Sequence, residues 1–110
     1  MVTGAHNNQF LNQNIEAEIG IDLSRIYNYP NPIYNNQTKF RFYVYDATSV
    51  TINIYDAAGF NITTLKDNSL TSYEYNEIEW NNIEVDSGLY LAEIKHKIGM
   101  SELVRMVVIR

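Results

Sequence analysis

The sequence predicts an all-β protein, an antiparallel β-sandwich of about seven strands in the immunoglobulin or fibronectin III style. Of its 110 residues 9 are tyrosine, and aromatic residues make up 13%, a composition that favours pleated, half-buried surfaces over helix interiors. Short runs alternate apolar and polar residues, the period of a strand with one face on a core. Residues that favour turns separate these runs at regular spacing, as in a sandwich.

The clearest strand pattern is a hairpin in the middle of the chain. The run 50–55 alternates apolar and polar residues, with Val50, Ile52 and Ile54 on one face. Asp56-Ala57-Ala58-Gly59 then supplies a turn in which Gly59 is free to take a positive φ. A second strand begins at Ile62, so the sequence predicts a β-hairpin here.

We expect the other strands near residues 19–27, 38–45, 73–80, 89–97 and 102–110. Phe40, Phe42 and Val44 lie on one face of the second of these, which we take as its core face. Trp80 is expected at the centre of the core. The last run is apolar on both faces, so it is either covered on both sides or leaves an apolar surface exposed.

The segment Tyr29-Pro30-Asn31-Pro32 interrupts the pattern after the first strand. Proline has no backbone N–H to donate to a central strand, so the segment is an edge or a crossover between sheets. We interpret residues 1–22 as a polar linker or N-terminal extension, rich in Asn and Gln, which can hold the start of the first strand near 15–22. Residues 23–110 then form the domain.

Charge and composition exclude several classes of function. Acidic residues outnumber basic ones 13 to 8, a net charge of −5, which argues against a nucleic-acid partner. There is no cysteine, hence no disulfide, thiolate nucleophile or cysteine-based metal site. No apolar run approaches the roughly 20 residues of a membrane-spanning helix. We predict a protein without enzymatic activity, catalytic residues, metal or cofactor.

Few side chains suggest chemistry, and each has a simpler interpretation. Asp46, Asp56 and Asp86 lie in turns, where carboxylates could bind Ca²⁺ but more commonly cap the turn. Glu77 and Glu79 share one strand face, which fits a solvated surface better than a glycosidase pair that must flank a cleft. The two histidines, His6 and His96, are expected to be plain surface residues.

Four tyrosines, Tyr43, Tyr45, Tyr73 and Tyr75, are predicted on outward faces of strands. Rows of exposed tyrosine can stack on sugar rings or on another domain. They can equally pair across strands and stiffen the sheet, which is the preferred interpretation. Both alternatives remain open from the sequence.

Several segments, taken in order, carry a family resemblance. They are Tyr29-Pro30-Asn31-Pro32, Ile54-Tyr55-Asp56-Ala57-Ala58-Gly59, Trp80-Asn81, Ser87-Gly88-Leu89-Tyr90 and Leu103-Val104-Arg105-Met106-Val107-Val108-Ile109-Arg110. Together they resemble the type A C-terminal sorting domain of the type IX (Por) secretion system over about Leu23 to Arg110. They are also similar to the immunoglobulin-like domain of flagellar hook-capping proteins, so a structural spacer or assembly module is the alternative function. Carbohydrate binding is a further alternative.

The resemblance to sorting domains implies a non-catalytic domain that follows a larger secreted cargo protein of a Bacteroidetes-type bacterium. It implies recognition by the type IX outer-membrane translocon and delivery to the cell surface. It also implies removal by a sortase-like surface peptidase that cuts between about Met1 and Leu23. We expect the terminal strand to be what the export machinery needs, and we expect Arg105 and Arg110 to contribute little to stability.

Overall fold

Seven strands and no helix make up the part of the chain that the structure describes, residues 20–47, 49–97 and 100–110 of a computed structural model. One sheet has the order β1-β2-β5 and the other β4-β3-β6-β7, and all strand pairs within them are antiparallel. The predicted all-β sandwich is confirmed. The strands are β1 (Ile21–Tyr29), β2 (Thr38–Val44), β3 (Val50–Asp56), β4 (Asn61–Asp67), β5 (Glu74–Trp80), β6 (Gly88–Lys97) and β7 (Met100–Val108).

The core lies between the sheets and follows the predicted alternation. Phe40, Phe42 and Val44 of β2 are fully buried, as are Ile52 and Ile54 of β3 on the opposite sheet. Their burial is the main favourable contribution to folding that the sequence pattern encodes.

Trp80 is buried as predicted, with 6% of its surface exposed. Its expected place at the centre of the core is wrong, however. Trp80 is the last residue of β5 and pairs with Thr38, the first residue of β2, so it closes one end of the core. Phe40 and Phe42, further along β2, are fully buried.

Strand ends differ from the predicted runs by a few residues because backbone pairing continues past the last apolar side chain. Thus β1 extends to Tyr29 and β4 to Asp67, both beyond the alternating residues. The expected strand start at 15–19 and most of the turn after Lys97 lie outside the described residues. The boundary between linker and domain stays a prediction.

The prediction that His96 is a plain surface residue is wrong. In β6 the residues of even number face the core, and His96 follows Ile94 on that face with its ring nitrogens buried. Its ring packs against Gly20, where an added Cβ would lie 2.5 Å from Cε1. Gly20, at φ +97°, accepts hydrogen bonds from the backbone N–H groups of Tyr45 (2.7 Å) and Asp46 (3.3 Å), so it is held beside the residues that follow β2.

Replacing Trp80 with Ala should lower the free energy of unfolding by about 3–5 kcal/mol, because it leaves a cavity between the sheets. Denaturant melts would measure this loss. The wild-type fluorescence should have the blue-shifted maximum of a buried indole, and an emission maximum at the wavelength of exposed indole would contradict the buried position.

Candidate functional site

Most of the motif positions gather at one end of the sandwich, although they are spread along the chain. In the strand registers Asp56 lies opposite Tyr90, and Gly88 lies opposite Val108 at the end of β7. Trp80 closes the core beneath the same end. We call it the motif end, formed by the segment 29–37, the β3–β4 turn, the loop 81–87 and residues 108–110. Gly20 lies at the opposite end, beside Tyr45 just after β2.

The segment 29–33 reaches from one sheet to the other, which agrees with the second of the two predicted alternatives, and the chain then returns to the first sheet at Thr38. Tyr29 pairs with Lys39 of β2 in the three-stranded sheet. Four residues later, Ile33 forms a parallel bridge with Val108 in the four-stranded sheet. The Ile33 N–H donates to the Val107 carbonyl (2.7 Å), and the Ile109 N–H donates to the Ile33 carbonyl (3.0 Å).

Asn31 attaches the crossover to β7 through its side chain. Its Nδ2 donates to the Arg105 carbonyl (2.9 Å), and its Oδ1 accepts from the Val107 N–H (3.1 Å). A parallel strand continuing back from Ile33 would make the same bonds with the backbone of residue 31. The carboxamide therefore replaces a peptide group on the outer edge of β7. Pro30 and Pro32 flank it and have no N–H to offer.

The turn after β3 has the predicted form. Asp56 Oδ1 accepts from the backbone N–H groups of Ala58 (3.0 Å) and Phe60 (2.9 Å), which is turn capping through the side-chain oxygen. Gly59 has φ +92°, a conformation that strains residues with a Cβ. Just before the turn, the Tyr55 hydroxyl donates to Glu93 Oε1 (3.2 Å), and burial, followed by the negative charge of Glu93, raises the pKa of Tyr55.

Tyr90 closes the loop that follows Trp80. Its ring is buried, and its hydroxyl donates to the Asp86 carbonyl at 2.7 Å. Burial raises the pKa of Tyr90, and the nearby carboxylates of Asp86 and Asp56 raise it further. Tyr90 therefore holds the loop 81–87 against the start of β6.

Arg110 ties the end of the chain to two loops. Its guanidinium donates to the carbonyl groups of Val85 (2.8 Å) and Ile83 and to Oδ1 of Asn36, and its backbone N–H donates to Ser87 Oγ (2.9 Å). Hydrogen bonds from a charged group are among the stronger ones in proteins. The expectation that Arg110 contributes little to stability does not fit this arrangement.

Arg105 behaves differently. It lies opposite Leu91 on the outer face of the β6–β7 pair and is exposed. Its guanidinium makes no hydrogen bond or ion pair with another residue of the described ranges. Arg105 is therefore the terminal arginine whose side chain is available to a partner.

The outer side of β7 exposes an apolar surface. Of the two possibilities for this strand, which is apolar on both faces, the structure therefore shows the exposed surface and not a strand covered on both sides. Met106 and Val108 face the core, whereas Leu103, Val107 and Ile109 are exposed, Leu103 by 58%. Other large exposed apolar side chains at the motif end are Tyr29, Tyr34, Phe60 and Leu89. Exposed apolar surface that is contiguous marks interaction sites more often than isolated residues do.

The outward tyrosines on the other sheet contact one another. The Tyr43 ring lies edge-to-face with Tyr45 (5.1 Å between centroids) and with its cross-strand partner Tyr75 (5.3 Å). The guanidinium of Arg41 covers the Tyr75 ring at 4.3 Å. Inclined, covered rings fit cross-strand stiffening better than a flat platform for sugars. Tyr73 lies apart, just before β5, where its N–H donates to the Val44 carbonyl.

The carboxylates considered for metal binding or catalysis have structural surroundings. Among the described residues no group of three or more His, Asp or Glu side chains is placed to hold a metal ion. Glu77 pairs with Arg41 (3.2 Å) and Lys39 (4.0 Å), and Glu79 accepts a long bond from Gln37 (3.5 Å). His6 lies outside the described residues.

The sandwich thus has most of its sequence motifs at one end, beside an exposed terminal strand. The family model of the secretion system C-terminal sorting domain matches residues 27–110, more than half of the chain. The chain therefore belongs to this family, and the resemblance drawn from its motifs is confirmed. The family consists of sorting signals of the type IX secretion system and is not a catalytic family.

Membership has further consequences. The domain marks proteins that the type IX system secretes to the cell surface or the extracellular space, and it implies a cargo protein before it. Within the described residues no helix is long and apolar enough to cross a membrane.

A solved structure supports the fold. The chain is similar to part of PorZ, described as an essential bacterial surface component of the type IX secretion system of Porphyromonas gingivalis. The TM-score is 0.61 at 23% identity, over 86% of this chain and 12% of PorZ. The chain thus spans about an eighth of that protein's length, and the likeness concerns the fold. No curated protein matches the chain.

Replacing Arg110 with Ala should lower the free energy of unfolding by about 1–3 kcal/mol, because it leaves the carbonyl groups of Ile83 and Val85 without their donor. Replacing Arg105 with Ala is the matched control and should change it by less than about 0.5 kcal/mol. Denaturant melts of both variants would measure the difference. Equal midpoints for the two would refute the stabilising role of Arg110.

The raised pKa of Tyr90 predicts a loss of stability at high pH. An unfolded tyrosine titrates at about pH 10. Because the folded state keeps its proton to higher pH, stability is unaffected below about pH 10 and falls as the pH rises from there through the folded pKa. Replacing Tyr90 with Phe removes this dependence, so the stability difference between wild type and variant should shrink above pH 10. Denaturant melts across this range would test it, and a constant difference would contradict it.

Proposed function

We propose that this domain directs the cargo protein before it through the type IX secretion system to the cell surface, and that the machinery recognises the motif end. The observation that carries this proposal is the convergence of the motif positions on the end where β7 finishes. Several of these residues, including Asn31, Asp56 and Tyr90, are engaged within the domain. They hold the end in shape, and the exposed side chains around them make the contact.

The exposed side chains suit a protein receptor. Tyr29, Tyr34 and Phe60 are large and aromatic, and Arg105 carries a charge without a partner among the described residues. Aromatic residues and arginine are the types most enriched at the centres of protein interfaces. We infer that the receptor is the outer-membrane translocon, with a complementary apolar surface that carries an acidic group.

The motif end lies on the side of the domain away from the cargo, which suits a signal that must work with different cargo proteins. The cargo joins at the end where Gly20 enters the sandwich, next to Tyr45 and Asp46. The strands between the two ends have 7 to 10 residues, which corresponds to a separation of about 20–30 Å. A receptor at the motif end therefore meets little of the cargo. A sortase-like surface peptidase would act on the cargo side, in the part of the predicted linker that precedes β1.

The proposal can be tested by export of a fluorescent protein fused before the domain in a bacterium with a type IX system. Replacing Tyr34, Phe60 and Ile109 together with Ser removes apolar surface from the motif end without touching the core, so surface fluorescence should fall to a small fraction of wild type. Replacing Tyr73 with Ser is the control, because Tyr73 is equally exposed but lies at the opposite end.

A domain that lacks Leu103–Arg110 serves as the export-negative reference. Thermal melts of the purified triple variant must show that it remains folded. If the folded triple variant and the deletion are both exported like wild type, the sorting function at this end is refuted. The alternative, an immunoglobulin-like spacer or assembly module, then takes its place.

A further inference from the structure

A polar groove lies at the motif end, between the segment 35–37 and residues 79–84. Its volume of about 730 Å³ falls in the range of about 300–1,000 Å³ that is usual for ligand sites. A second groove, of about 580 Å³, adjoins it, because Asn36, Ile83 and Glu84 line both. The two together form one elongated depression, which suits an oligomeric ligand.

Side-chain amides and carboxylates make up almost all of the lining of the larger groove, which we call the polar groove. Among the described residues it has five carboxamides, two carboxylates and one apolar side chain. They are Asn35, Asn36, Gln37, Asn81 and Asn82, then Glu79 and Glu84, and finally Ile83. The side chains of Asn35, Asn81, Asn82 and Glu84 make no hydrogen bond or ion pair with another residue of the described ranges. Their donors and acceptors are therefore available to a ligand.

The walls of the polar groove are tied to each other. The Ile83 N–H donates to the Asn36 carbonyl (3.0 Å), and the Arg110 guanidinium donates to both Asn36 Oδ1 and the Ile83 carbonyl. Asn36 and Asn82 have φ +60° and +54°, a conformation that asparagine adopts more readily than most residues. The groove is thus held in shape without a ligand, which lowers the entropic cost of binding one.

We propose that the polar groove binds a neutral oligosaccharide. A sugar hydroxyl both donates and accepts hydrogen bonds, a carboxamide does the same, and a carboxylate accepts. A chain of hydroxyl groups can therefore satisfy every type of polar group that lines the groove.

Charge restricts the sugar to one without acidic groups. Glu79 and Glu84 in the polar groove, and Asp86 in the adjoining one, have no ion-pair partner in the part of the chain that the structure describes. Arg110, which lines the adjoining groove, directs its guanidinium to backbone carbonyl groups and Asn36. A sulfated, phosphorylated or uronic acid sugar would therefore be repelled.

A peptide fits the polar groove less well than a sugar does. Peptide recognition gains specificity from pockets that take side chains and from buried apolar contacts. Ile83, the apolar member of the lining, has only 1% of its surface exposed, so it offers no such contact. Sugar hydroxyl groups can bind through hydrogen bonds to the lining side chains alone.

The test is an NMR titration of the full, isotopically labelled chain with maltopentaose, mannopentaose and galactopentaose. At least one of these neutral sugars should shift the side-chain amide signals of Asn35, Asn81 and Asn82 in a saturable manner. An oligomer of galacturonate, which is anionic, should bind at least about tenfold more weakly. Binding is measured on the purified chain without export, so its failure would leave the sorting function standing.

A double variant, Asn35→Ala with Asn82→Gly, locates the site. It removes two uncommitted carboxamides, and glycine retains the positive φ at position 82, so the fold should be kept. Affinity for the neutral sugar should fall by at least about tenfold. Asn68→Ala is the matched control, because Asn68 is an exposed carboxamide that follows β4 at the opposite end, and it should leave affinity unchanged.

Glu84→Ala removes another uncommitted, exposed side chain of the groove and covers the case in which the double variant does not fold. It too should weaken binding of the neutral sugar. The proposal is overturned if none of the three sugars shifts the amide signals, or if the folded groove variants bind as wild type does. It is also overturned if pentalysine, a cationic peptide, shifts these signals in place of the sugars.

Discussion

The fold depends on the attachment of the crossover at residues 29–33 to the last strand. This segment joins two strands of the same sheet, β1 and β2, and on its way contacts the edge of the other sheet, where backbone groups need partners. Here prolines on both sides of Asn31 remove backbone donors, and the Asn31 side chain supplies the missing bonds to Arg105 and Val107. The first connection of the chain thereby becomes the support of its last strand.

Arg110 extends the same support to the end of the chain. Together with Asn31 and Ile33 it joins β7 to residues from the segment 31–36 and from the loop 83–87. Each of these partners precedes the residue that it bonds in the terminal segment by 23 to 76 positions in the sequence. The terminal strand therefore makes its full set of contacts only when both segments are in their folded positions.

The sequence was sufficient for the sheets but not for these attachments. Alternation placed Phe40, Phe42 and Val44 in the core because a strand turns every second side chain inward. Asp56 and Gly59 revealed their turn because its chemistry is local. The role of Asn31 could not be read in this way, since its partners lie 74 and 76 residues away and it acts through its side chain. Every second residue of β6 up to Ile94 faces the core. Extending this alternation by one step places His96 on the core face as well.

The outer face of the four-stranded sheet differs between its two halves, one polar and one apolar. On the β3–β4 side Asn53, Tyr55 and Thr64 satisfy one another and Glu93 through side-chain hydrogen bonds. On the β6–β7 side the apolar side chains of Leu89, Leu103 and Val107 are exposed to solvent. Folding does not require this apolar surface, because the core-facing residues of β6 and β7 are a separate set. Exposed apolar groups beside an edge favour aggregation unless the edge is blocked. A contiguous apolar surface that folding does not require is the kind that marks an interaction site.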